Sequence, residues 1–199
     1  MLEAAARPTT SVDPQAHADH AYLYGAEPAA VALSYLAWMD SVSGQLRSSK
    51  ERLECALDHA NTARHAFSIC YVHCFTASCA QLEGDPRRVA EAADNTIRLA
   101  NQHNFQYWLA WGRALRGWVR GLVSPEQGIA AIDDARAAYL ATGSTLVAPY
   151  FGAFACNIAR LKGIGGAAER ERALEQLADA TGVRFWAAAV HVEPGVPPS

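Results

Sequence analysis

Four groups of residues in this sequence have the types and spacing that chemistry asks for. Cys70, His73 and Cys74, with Cys79 nearby, offer thiols and an imidazole within ten positions. On a helix, Cys70 and Cys74 lie one turn apart and share a face. Zinc needs about four convergent thiolates or imidazoles, usually as two short-spaced pairs. Only the isolated His59, His65 and His103 stand elsewhere nearby, so no second pair completes a site. Free cysteine packs as a small buried hydrophobe, and that reading explains the cluster better. A Cys–His nucleophile would need a depressed thiol pKa and a base in reach, whereas an apolar helix face raises that pKa. The glycine run Lys162-Gly163-Ile164-Gly165-Gly166 has the look of a phosphate loop. Ala167 and Ala168 follow, where a lysine and a hydroxyl residue would be required, and no strand precedes it. It reads as a turn between helices. Asp133-Asp134 ahead of Arg136 reads as a solvated face rather than an acid–base pair. No catalytic residue, cofactor site or metal site is assigned.

Two groups carry more weight. Arg113, Arg116 and Arg120 are spaced three and four apart, which puts three guanidiniums on one side of a helix. They could hold carboxylates bidentately, as on an acidic peptide of a partner protein. Arg160, 40 residues after Arg120, would extend the line onto the next odd-numbered helix. The plain alternative is a solvated face with local ion pairs. Trp108 and Trp111 could instead form part of a ligand pocket. At helical spacing with Phe105, Leu115 and Val119, indoles more often belong to a core, and Trp111 lies nearer the edge of that stripe.

All of these depend on the elements that carry them. The stretch from Asn104 to Leu122, NFQYWLAWGRALRGWVRGL, places Phe105, Trp108, Leu109, Gly112, Leu115, Val119 and Leu122 at steps of three and four. That is one apolar face of an α-helix. Gly112 in its middle costs roughly 1 kcal/mol against alanine, which predicts a close helix contact there. Glu27-Pro28 and Asp85-Pro86 open helices, since proline suits the first turn and aspartate caps it. Ser48 to Glu51 has the form of a capping box, and Ser124-Pro125-Glu126-Gln127 repeats the signal. Gly44, Gly84, Gly143 and Gly182 stop helices. The sequence predicts nine helices and no strand. Residues 1–27 read as a loosely structured arm, 28–190 as one helical repeat domain and 191–199 as a disordered tail.

The pattern also recurs. Thr142-Gly143 before Leu146 matches Thr181-Gly182 before Phe185, 39 residues later. Ala37, Cys74, Gly112 and Gly152 are small residues in successive odd helices, at spacings of 37, 38 and 40. Such a period in helix pairs marks an α-solenoid. Trp108, Trp111, Gly112 and Leu115 fall where the tetratricopeptide (TPR) repeat has its tryptophan, leucine, glycine and tyrosine. The expected fold is therefore all-α, a TPR-like α-solenoid of about four helix pairs, whose odd helices line the concave surface.

The run FQYWLAWGRALRGW, the turn at Ala141-Thr142-Gly143, Ala180-Thr181-Gly182-Val183-Arg184-Phe185-Trp186, and Asp13-Pro14-Gln15 with His20-Ala21-Tyr22-Leu23-Tyr24-Gly25 together resemble one bacterial group. It is the C-terminal TPR region of large multidomain regulators, where it follows an ATPase module. A class III adenylate/guanylate cyclase domain or a DNA-binding domain often lies further upstream. The resemblance covers about residues 13 to 190. It implies a non-catalytic segment, with no catalytic residue to carry over, that acts as a regulatory or scaffold element contacting another protein. It also implies a piece of such a regulator that starts inside the repeat array. The alternative is a small-molecule-sensing helical domain with its pocket beside the tryptophan helix.

Bulk properties fit either reading. With 199 residues and 51% hydrophobic content, the chain can bury a core. A net charge of -3 gives no general reason to expect nucleic acid or an anionic membrane. The five cysteines are odd in number and suit free thiols in a reducing cytoplasm. The N-terminus lacks the apolar region of a signal peptide. The uncharged run from Ala137 to Ala159 is broken by Thr142 to Thr145 and by Pro149, so it reads as a helix end and a helix start rather than a membrane span.

Overall fold

The computed structural model describes residues 25–182, 184 and 186–195. These form helices and turns, with no strand among them. The helices are α1 (Pro28–Val42), α2 (Leu46–Thr62), α3 (Ala66–Leu82), α4 (Pro86–His103), α5 (Gln106–Gly121), α6 (Pro125–Ala141), α7 (Ala148–Lys162), α8 (Ala167–Thr181) and the single turn α9 (Ala187–Val190). The expected arm falls mainly on residues 1–24, and those lie outside the described residues, as do 196–199.

The local signals act largely as their chemistry dictates. The Glu27 carboxylate accepts the Ala30 amide at 2.5 Å, with Pro28 in the first turn of α1. Asp85 caps α4 by accepting the Arg88 amide at 3.0 Å. Ser48 is a correction. α2 begins two residues earlier, at Leu46, and the Ser48 hydroxyl donates to Asp40 at 2.6 Å instead. Arg52 donates to the same Asp40 oxygen at 2.7 Å, so this serine ties α2 to α1 rather than capping a helix. Asn104 ends α4 in the left-handed region at φ 57°, a conformation asparagine tolerates.

Each helix from α1 to α7 packs on the next in the chain, and the odd helices α1, α3, α5 and α7 also pack on one another in turn. Among the described residues no two even helices make more than marginal contact. The odd helices thus make an inner layer and the even ones an outer layer. That inner layer closes on itself. Trp38 of α1 lies 6.3 Å from Trp111 of α5 and 5.7 Å from Tyr150 of α7, between ring centroids. Tyr150 Oη lies 3.4 Å from the Ser78 carbonyl and 3.3 Å from Gln81 Oε1 of α3. In an open solenoid each pair would touch only its neighbours. Here rings from four helices fill the inside, so the expected concave surface is packed with aromatic side chains.

The repeat register also needs correction. Successive odd helices start at Pro28, Ala66, Gln106 and Ala148, so the interval grows from 38 to 40 to 42 residues. Gly112 faces backward, where an added Cβ would meet Ile97 and Thr96 of α4 at 3.1 Å. Gly152 faces forward, where a Cβ would meet Leu174 of α8 at 3.0 Å. The two glycines are therefore not equivalent positions. The tightest contact is one the expected register omits. A Cβ at Gly128 of α6 would stand 2.2 Å from Gly121 Cα and 2.8 Å from the Gly117 carbonyl. Glycines spaced by four on α5 let the α6 backbone rest directly on it.

Candidate functional site

α5 separates two environments. Trp108 and Trp111 sit on its inner side. Their rings stack at 5.6 Å and 22°, and Trp111 also meets Phe75, Tyr150 and Phe151. Trp111 is 2% exposed, so it belongs to the core despite lying at the edge of the sequence stripe. The Nε1 atoms of Trp108 and Trp111, and Nε2 of Gln81, are buried without a hydrogen-bond acceptor. Burying an N–H donor unpaired is unfavourable, which makes these atoms unsatisfied polar groups of the inner layer.

Arg113, Arg116 and Arg120 stand on the other side of the helix. They share one groove of about 650 Å³ that runs between α4 and α6 with α5 as its floor. Ile97, Val119, Val123 and Ala138 supply apolar walls, and Asp134 faces in from α6. All three arginines are exposed. Arg116 Nε donates to Asp94 at 2.9 Å, an open pair in which both partners are well solvated and which contributes little. Arg120 holds Gln127 Oε1 through Nη2 at 2.6 Å and Nε at 3.2 Å. Arg113 makes no hydrogen bond or ion pair with any described residue. The helix positions them as their spacing predicts, but on the outer side and not on the concave one.

Arg160 does not extend this line. Its Nε lies 3.4 Å from the Val190 carbonyl and its Nη2 lies 3.5 Å from the Glu193 carboxylate. The physical reason is the lengthened interval. Counted from the helix starts, Arg160 on α7 corresponds to Trp118 on α5, an inward position. The residues after α9 depart from expectation too. Val192 is 6% exposed, and the Gly195 amide donates to the Gly84 carbonyl at 2.7 Å, so 191–195 are folded against the domain.

Among the described residues no group of three or more histidines, cysteines or carboxylates converges as metal ligands. Burial pushes the Cys70 thiol up to about 12 and Cys79 up to about 11, and raises Cys74 well above its ordinary value. Burial also lowers the His73 pKa, leaving a neutral ring near an unreactive thiol. No described helix is long and apolar enough to cross a membrane.

Sequence reasoning missed Asn157, which is wholly buried on α7. Its Oδ1 accepts the Trp118 indole at 2.8 Å, and its Nδ2 donates to the carbonyls of Val190 and Val192 at 2.9 and 2.8 Å. The one side-chain amide inside the uncharged run from Ala137 to Ala159 was the available signal. No family model matches the chain, and neither curated proteins nor solved structures give a match.

Proposed function

We propose that this chain is a non-catalytic, TPR-like helical-repeat protein that mediates protein–protein interaction. Its role is that of a regulatory or scaffold segment in a signalling or transcriptional regulator, the kind its tryptophan helix resembles, and its five free thiols suit the cytoplasm. The partner docks through an acidic segment in the groove over α5. The observation that carries this is three guanidiniums around one apolar-walled groove, with Arg113 bonded to none of the described residues. Three like charges within two helical turns repel one another, and carboxylates would relieve that while forming charge-assisted bonds of roughly 1.5–3 kcal/mol each. Arg113→Glu with Arg116→Glu reverses the charge without touching the core. Partners recovered from a lysate of the source organism by the wild type, and identified by mass spectrometry, are expected to be lost with the double variant. Equal recovery by both proteins sinks the reading.

A second reading is favoured by the unpaired donors of Trp108, Trp111 and Gln81. A small acceptor-rich molecule entering the aromatic layer would satisfy them, making the domain a sensor. Tryptophan fluorescence titrated with a metabolite library tests this. A saturable change at micromolar ligand that survives Arg113→Glu with Arg116→Glu selects the sensor over the partner groove.

A further inference from the structure

Beyond α8 the chain doubles back, and α9 packs on α7 and reaches α3. A one-turn helix leaves its carbonyls without internal donors. α7 supplies them. Asn157 gives both of its N–H groups to the carbonyls of Val190 and Val192. An indole only donates, so the Trp118 bond fixes which way the Asn157 amide points and leaves those two N–H groups facing the incoming chain. Arg160 adds a second contact to the Val190 carbonyl and reaches the Glu193 carboxylate. The Val190 and Val192 side chains are buried, while His191 between them is exposed. These contacts recognise backbone carbonyls, two small aliphatic side chains and one acid. Any chain that presents the same groups can make them.

We propose that Trp118, Asn157 and Arg160 form a peptide-binding site that residues 187–195 occupy in cis. The partner it fits is a segment reading aliphatic, any residue, aliphatic, acidic, which displaces the chain's own tail. This surface is separate from the arginine groove and does not depend on that reading. Displacement is feasible because the Glu193 carboxylate is 59% exposed and its ion pair is screened. The tether nevertheless gives the tail an effective concentration of order millimolar, so a free peptide competes poorly with the intact chain.

The probe is a fluorescent peptide with the sequence of residues 187–195, titrated into the full chain and into Val192→Asp while anisotropy is read. The variant loosens the tail's own anchor, so it is expected to bind the peptide at least about ten-fold more tightly than the wild type. A peptide with the same valine changed to aspartate is expected to bind neither. Equal affinity of the two proteins, or no saturable binding by a folded variant, overturns the proposal. Hydrogen exchange on the unaltered protein needs no variant to fold. Unlabelled peptide at about ten millimolar, above the tail's effective concentration, is expected to speed exchange at the Gly195 amide and leave the Leu115 amide of α5 unchanged. If Gly195 does not respond, or if it exchanges at the Leu115 rate, the tail opens only with the whole fold and the site does not exist.

Discussion

The two sides of α5 carry residues two positions apart in sequence and opposite in consequence. Trp111 is enclosed by rings from α1, α3 and α7, while Arg113 looks into the groove between α4 and α6 and bonds to none of the described residues. The inner side is committed to the fold and the outer side is not. Cost on substitution follows commitment, so a docking function sought on this helix belongs on the outer side, where change leaves the fold intact.

The sharpest way to break that comparison is Trp111→Ala. Removing a buried indole among closely packed rings is expected to cost about 3–5 kcal/mol, read as a large drop in the midpoint of denaturant unfolding. Arg113→Ala, two residues on, is expected to stay within about 0.5 kcal/mol. Similar losses for the two would erase the distinction between the sides.

Gly128→Ala comes next. Its Cβ would strike backbone atoms of Gly121, which cannot step aside as a side chain can. The helices must separate, and overpacking of this kind costs typically ~1–3 kcal/mol. Gly112→Ala is expected to cost less, because its neighbours at 3.1 Å, Ile97 Cγ1 and Thr96 Cγ2, are side-chain atoms rather than backbone. Thermal melting of both variants gives the order, and a reversed order would misplace the closest helix contact. Gly112→Leu, which puts a branched side chain into the same contact, is expected to be strongly destabilising in the same assay.

The smallest effect concerns the thiols. At pH 8 the Cys70, Cys74 and Cys79 groups stay protonated and enclosed, whereas Cys55 is only partly buried. A disulfide-exchange reagent is therefore expected to label Cys55 first and the other three only as the chain unfolds. Rapid labelling of Cys74 in the native protein would reopen the nucleophile reading.

Much of the helical frame was legible because its signals are local. Asp85-Pro86 and Glu27-Pro28 start helices wherever the rest of the chain goes, and the three-and-four spacing of the tryptophan helix marks part of its buried face, while Val119 of that stripe lines the outer groove and Trp118 is buried outside it. Two features depended on distance instead. The side on which Arg113, Arg116 and Arg120 emerge is set by where α4 and α6 pack, which spacing along one helix does not reveal. The place of Arg160 turned on a repeat interval that lengthens by two residues at each step, so a fixed count carried it to the wrong side. Asn157 binds a segment more than thirty residues away, and its partners are backbone carbonyls with no sequence signature. The glycine contact between α5 and α6 was readable in Gly117 and Gly121, four apart.

The central claim is that the groove over α5 takes an acidic segment. Selection of a random peptide library on the immobilised protein, with the Arg113→Glu, Arg116→Glu variant in parallel, tests it most directly. The account predicts that the wild type enriches peptides carrying aspartate or glutamate beside apolar residues, that binding weakens as salt rises, and that the double variant loses this enrichment while melting like the wild type. Enrichment without acidic residues, or the same acidic peptides on both proteins, would contradict it.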